Sequence, residues 1–218
     1  MKYKVVVFDL DGTLLDTIED LRDSMNSVLM ERGYPVHDSE AYKYFVGDGM
    51  RELSRRALPE DKRSEDEVDS ALKGMTAQYA QRWADKSAPY PGIDKLLNGL
   101  AEKGVKCAIL SNKLDAFTKQ VVEKLLPDWS FYPIFGERQA MGVPKKPDPA
   151  GALEIAQILK VQPSECLYLG DTAVDMKTAN AAGMYAVGVL WGFRKADELL
   201  ENGAKILISE PQELLDIL

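Results

Sequence analysis

The sequence predicts an α/β protein, a doubly wound parallel sheet core with an inserted all-helical domain. Three observations predict it. Residues 5–8, Val-Val-Val-Phe, are an unbroken apolar run rich in β-branched residues, the length of a strand buried on both faces of a parallel sheet. From about residue 92 onward, short apolar runs alternate with segments of helical period, as they do where helices cover both faces of such a sheet. Between them, residues of about 17–84 read as helices alone. The core is therefore expected over 1–16 and 85–218, and the helical insert over 17–84. Joints are expected near Leu15 to Thr17 and at Ala88-Pro-Tyr-Pro-Gly92, close together as a hinged cap requires.

The elements follow in order. Thr17, with Glu19 and Asp20 behind it, opens a helix whose stripe is Ile18, Leu21, Met25, Val28 and Leu29 and whose stop is Gly33. Asp38 or Ser39 opens a short helix to about Phe45. The flexible joint Val46-Gly-Asp-Gly49 leads to a helix around 50–58. Residues 64–83 carry Val68, Leu72, Met75, Tyr79 and Trp83 near helical spacing. In the second style, helices are expected at 92–103, 115–126, 148–159, 175–182, 196–200 and 211–217. Strands are expected at 105–110, 134–135, 166–169, 185–190 and 206–208.

Composition narrows the function. The chain has 218 residues, 28% charged and 45% hydrophobic, as in an ordinary globular protein, with a net charge of −8. No basic excess exists to displace the counterions of a nucleic acid, so no nucleic-acid partner is expected, while a small anion held by local cations remains compatible. Apolar runs are too short to span a bilayer and no signal peptide is visible, so no membrane partner is expected. Cys107 and Cys166 read as small buried thiols of a reducing compartment, which points to the cytoplasm. His37, the single histidine, reads as a surface loop residue.

Chemistry concentrates at strand ends. Asp9 and Asp11 follow the first strand and are two apart, so in an extended chain their side chains share a side. Gly12 lets the chain turn sharply there. Two like charges at one buried edge repel unless a cation lies between them or one is protonated. That leaves a hard metal ion, a paired acid and base, or a plain polar turn. Ser111, followed by Asn112 and Lys113, ends the strand at 105–110, where a hydroxyl can bond a phosphoryl oxygen or merely cap a helix. Lys145 and Lys146 stand in a loop stiffened by Pro144, Pro147 and Pro149. Gly170-Asp171-Thr-Ala-Val-Asp175 puts two more acids at a strand end, where Asp175 can also serve as a helix N-terminal acid.

The string Asp-Leu-Asp-Gly-Thr-Leu-Leu-Asp after an apolar strand, then Ser111, Lys146-Pro147 and Gly170-Asp171 with Asp175, all in order, resembles the motif set of the haloacid dehalogenase-like phosphohydrolases. The resemblance spans essentially the whole chain. It implies a Rossmann-like core with a helical cap and a phosphatase acting through an aspartyl-phosphate. Asp9 would be the nucleophile and Asp11 the general acid and base. Asp9, Asp171 and a carbonyl of Asp11 would hold Mg²⁺, with Asp175 supporting the metal site from behind. Ser111, Asn112 and Lys146 would bind the phosphoryl group. Asp11 argues against carbon–halogen cleavage, which needs no such acid. The insert, with Thr17-Ile-Glu-Asp-Leu21 and Phe45-Val-Gly-Asp-Gly49, resembles that of phosphoglycolate phosphatases, which implies a small, carboxylated phosphate ester as substrate. Arg51, Arg55 and Arg56 beside it are candidate carboxylate readers, though such arginines more often decorate a solvated face. On the same scaffold stand a β-phosphoglucomutase-like sugar-phosphate mutase, a pyrophosphatase or a nucleotidase. From another class comes a phospho-accepting signalling domain, which has neither the insert nor a need for Asp11.

Overall fold

The computed structural model describes residues 2–218. In chain order the elements are β1 (Val5–Phe8), β2 (Leu15–Asp16), α1 (Ile18–Glu31), α2 (Ser39–Phe45), α3 (Met50–Ala57) and α4 (Glu65–Arg82). There follow β3 (Ala88–Pro89), α5 (Ile93–Glu102), β4 (Lys106–Leu114), α6 (Asp115–Leu125), β5 (Ile134–Glu137) and α7 (Ala150–Leu159). The chain closes with β6 (Cys166–Gly170), α8 (Ala173–Ala181), β7 (Tyr185–Val189), α9 (Ala196–Glu201) and β8 (Ile206–Ile208). It divides into two compact units, residues 1–15 with 89–218, and residues 16–88.

The larger unit is a six-stranded parallel sheet in the order β5-β4-β1-β6-β7-β8, flanked by helices. By position among the sheet strands this is 3-2-1-4-5-6. The order reverses at β1, and doubly wound sheets bind ligands beyond the carboxyl ends of the strands at that switch. All four β1 residues are fully buried, as the unbroken apolar run requires. Val5 and Val7 join Ala108, Leu110 and Tyr168 in one core layer with Ala152, Ile155 and Ala156 of α7 and Met176 and Ala179 of α8. Val6 and Phe8 alternate to the opposite face. Register places Phe8 level with Ile109 and Leu169, so Asp9, Ser111 and Asp171 emerge from neighbouring strands at one edge.

The smaller unit holds α1 to α4. The expected stripe of α1 is buried. In α4 the stripe is rotated: Val68, Ala71, Met75 and Tyr79 are buried, whereas Leu72 and Trp83 are half-buried. Small residues explain the turn, since Gly74 presses so close to Val28 that a Cβ there would lie 3.1 Å from it. Asp20, read as a helix-start acid, is buried and accepts bonds from the Lys86 and Ser87 backbone amides and the Ser87 hydroxyl at 2.7–3.1 Å. His37 is in a loop but half-buried. Its Nε2 lies 2.8 Å from the Ala57 carbonyl, and its ring packs edge-on to Tyr42 and Phe45.

Several expected boundaries shift. β4 continues past Leu110 through a register irregularity to Leu114, so residues 111–113 lie on extended chain rather than in a turn. α7 begins at Ala150 after Pro149, and Asp148, expected inside the helix, lies before it and accepts the Ala150 amide at 2.9 Å. The closing segment 211–216 winds as a 3₁₀ helix. Cys107 is half-buried, not buried, and both cysteines are free thiols. The pairing of Leu15–Asp16 with Ala88–Pro89 as a two-stranded sheet had no sequence signal. Among the described residues, no helix is long and apolar enough to cross a membrane.

Candidate active site

Three of the expected site residues form one cluster. Asp9 leaves the end of β1, its own amide donating to the Leu169 carbonyl at 2.9 Å. Asp171 leaves the end of β6, and Asp175 lies in the first turn of α8. One oxygen from each of Asp9, Asp171 and Asp175 lies within 4.8 Å of the others, and all three side chains are buried. Burial, and then the charge of Asp175, push the Asp9 carboxyl up to about 7 against the opposing pull of Lys146. Burial, and then Asp9 and Asp175, hold Asp171 well above the carboxylate range. Three oxygen donors that repel one another this strongly fit a hard divalent cation.

Lys146 is the counter-charge within the cluster. Its Nζ donates to Asp9 Oδ1 and to Asp175 Oδ1, each at 2.7 Å. Burial opposes its charge, but Asp175 and Asp9 outweigh burial and hold its pKa well above the usual lysine value. Lys145, its neighbour, is not in that contact. Asn112 turns both ends of its amide to the Lys146 backbone: Oδ1 accepts from the Lys146 N–H at 2.9 Å and Nδ2 donates to its carbonyl at 3.1 Å. Asn112, a candidate substrate-binding residue, thereby fixes the peptide of Lys146. Ser111 is buried, and its Oγ accepts from the Lys113 amide at 3.2 Å.

Asp11 stands apart from the carboxylate cluster. Both its oxygens accept from Lys113 Nζ, at 2.9 and 3.1 Å. Its role as a metal ligand was expected through the main chain, and its carboxylate is not part of the three-acid group. Asp175 does two things at once. Besides meeting Lys146, its Oδ2 accepts from the Thr172 amide and hydroxyl, capping α8.

Sequence reasoning assigned no role to the groups that hold Asp171. Thr13 Oγ1 donates to its Oδ1 at 3.1 Å and the Phe193 amide to its Oδ2 at 2.8 Å. Trp191 Nε1 donates to the Thr13 carbonyl at 2.9 Å, tying the two loops together. Gly12, at φ +90°, and Gly192 leave the room this needs. A Cβ on Gly12 would lie 2.4 Å from Asp171 Oδ2, and one on Gly192 would lie 2.3 Å from Asp171 Cβ. A backbone donor such as Phe193 leaves no side-chain signature in the sequence.

Comparison with known proteins places the chain in a family. Residues 6–189 match the haloacid dehalogenase-like hydrolase family model. A phosphoglycolate phosphatase of Pseudomonas putida is 31% identical over 215 residues, covering 97% of this chain and 78% of that protein. One of Aquifex aeolicus is also 31% identical, covering 99% of this chain and 96% of that protein. A solved structure from Lactobacillus delbrueckii subsp. bulgaricus, provisionally assigned as a phosphoglycolate phosphatase, superposes with a TM-score of 0.91 at 31% identity, covering 100% of this chain and 98% of its own. The chain belongs to the haloacid dehalogenase-like hydrolase family.

Proposed function

We propose that this protein is a Mg²⁺-dependent phosphatase that hydrolyses a small phosphate monoester, 2-phosphoglycolate, through a phosphorylated Asp9. The observation that carries the reading is the buried cluster of Asp9, Asp171 and Asp175, with Lys146 bonded to Asp9 and Asp175, at the end of β1. The names of relatives 31% identical over nearly the whole chain support the choice of substrate.

Asp9 and Asp171, with the Asp11 carbonyl, would hold the cation, and Asp175 would stand behind them. When bound, the cation would supply the positive charge that lets a carboxylate approach a phosphate dianion. The protein's own groups do the rest. Asp9, whose anionic form Lys146 favours against burial, attacks phosphorus and forms an aspartyl-phosphate as the bond to the leaving oxygen breaks. Lys146 and Ser111 stabilise charge on the transferring oxygens. Asn112 keeps the Lys146 backbone, and so its ammonium, in place. Asp11 protonates the leaving oxygen and then takes a proton from the water that hydrolyses the intermediate. The helical residues 16–88 act in this reading as a cap that excludes water from the reaction. The two free thiols fit a reducing compartment such as the cytoplasm.

The test is phosphate release in Mg²⁺ or chelator from 2-phosphoglycolate, hexose phosphates, nucleoside monophosphates, pyrophosphate and p-nitrophenyl phosphate. Mg²⁺-dependent release, fastest from 2-phosphoglycolate, is expected. Faster release from another ester replaces the substrate, and no release from any of them removes the phosphatase reading.

A further inference from the structure

The reaction proposed above needs Asp11 to give up a proton at one atom and take one up at the same place half a cycle later. Such a group must be held within hydrogen-bond reach of the reacting oxygen. Asp9 is held by Lys146; the corresponding constraint on Asp11 is another lysine. We propose that Lys113 is the positioning residue for Asp11, fixing the plane and rotamer of its carboxylate toward the leaving group; this rests on the phosphatase reading above.

The geometry is specific. Lys113 Nζ meets both oxygens of Asp11, which fixes the carboxylate plane as a single contact would not. The Lys113 side chain is 2% exposed, and a lysine so buried is costly unless its charge is paired. The backbone that carries it is pinned at both ends. Its N–H donates to Ser111 Oγ at 3.2 Å, and its carbonyl accepts from Thr118 Oγ1 at 3.2 Å. Gly136 of β5 leaves no slack on the other side, since a Cβ there would come within 2.6 Å of the Lys113 carbonyl oxygen. The irregular extension of β4 beyond Leu110 is what brings residue 113 to this place. Ser111, expected to touch the phosphoryl group, and Lys113, on the acid, are thus linked through one short backbone segment.

The test uses leaving groups, because a structural ion pair would not distinguish them. An alkoxide such as glycolate needs a proton to depart, whereas p-nitrophenolate does not. The value of kcat/KM reports the steps through transfer of phosphorus to Asp9. Lys113→Met is expected to lower kcat/KM for 2-phosphoglycolate and for ethyl phosphate about 100-fold, in the range of general acid catalysis. It should leave p-nitrophenyl phosphate within about 3-fold, and Lys113→Arg should restore part of the loss. In an Asp11→Asn background, Lys113→Met should change little further, since both act on one step. Equal loss on all three esters, or full additivity with Asp11→Asn, overturns the proposal in favour of a structural pair. Loss on 2-phosphoglycolate but not on ethyl phosphate overturns it in favour of a lysine that reads the substrate carboxylate. A parent protein that releases phosphate from none of the esters removes the phosphatase reading itself, and this proposal falls with it.

Discussion

Two clusters of charge in this protein have similar composition and opposite character. In the sheet unit, Asp9, Asp171 and Asp175 are buried together, and Lys146 meets Asp9 and Asp175. In the helical unit, Arg51 and Arg55 meet Glu52, Glu65 and Asp69 at the surface, and Arg56 pairs with Asp48. Each main cluster has more acids than bases. At the surface the excess is hydrated, and the shifts are those of simple pairing: Arg55 beside it holds Glu65 below the usual carboxylate range. In the interior the excess has nowhere to go, and Asp9 and Asp171 are driven up instead. The difference teaches that burial, rather than the residue types, makes one cluster a site and the other a solvated face. The arginines that invite a carboxylate-binding role from sequence belong to the surface cluster. Arg51, Arg55 and Arg56 each meet an acid of their own unit, and Nη1 of Arg51 is buried without a hydrogen-bond partner.

The largest effect should come from removing charge from the buried cluster. Asp9→Asn is expected to cut phosphate release by at least about 10⁴-fold, as loss of a nucleophile does. In chelator the same variant should be more stable than the parent, and the sign of the pH dependence follows. Folded Asp9 has its pKa raised to about 7 from 3.8, so between those values the native state binds a proton that the unfolded chain has lost. Parent stability therefore falls as pH rises through that window and levels off above it. The variant lacks that loss. Its melting temperature in chelator should exceed the parent's by about 4 °C or more at pH 8, and by much less at pH 4. Saturating Mg²⁺ should narrow the gap at pH 8. A gap that does not change with pH would show that Asp9 is not strained by its surroundings.

Next in size is the turn that holds Asp171. Gly12→Ala places a methyl group 2.4 Å from Asp171 Oδ2 at a φ of +90°, where an L side chain is strained. Asp171 must move away from Thr13 and the Phe193 amide. We expect Mg²⁺ affinity, read by calorimetry, to drop at least about 10-fold, comparable to loss of a group that orients a metal ligand. Unchanged affinity would mean that Asp171 is free to shift, and that the rigid loop is not what makes the interior cluster.

What was legible in the sequence follows the same division. Strand ends that carry acids are local signals, so Asp9, Asp11, Asp171 and Asp175 could be found from the residues just before them. The sheet was equally legible, because its strands are short apolar runs set between helices. Pairings between distant residues were not. Nothing near Lys113 tells that it turns to Asp11, 102 positions away, and nothing in Asn112 tells that its amide faces a backbone 34 positions on. Asp20 read correctly as an acid near a helix start, yet its bonds go to Ser87, 67 residues later. Such partners are set by where the sheet and helices bring the chain together, which periodicity does not encode.

The surface cluster supplies the smallest effect and the sharpest control on the comparison. Arg55 donates to both oxygens of Glu65, at 2.9 and 3.1 Å, and Arg51 reaches Glu65 at 3.0 Å and Asp69 at 2.8 Å. Their geometry is as good as that of Lys146, so distance alone would rank the two clusters together. Water and salt screen the surface pairs, and long side chains lose entropy in making them. Glu65→Gln should therefore leave the melting temperature within about 1 °C of the parent, with any difference vanishing at high salt. It should also leave kcat/KM for 2-phosphoglycolate within about 2-fold, since Glu65 holds arginines that already have other acids beside them. A large rise in KM with kcat unchanged would overturn this, because it would mean that Glu65 holds Arg51 or Arg55 in place to bind the substrate's carboxylate. The helical unit would then carry a site of its own, and hydration would no longer separate the two clusters.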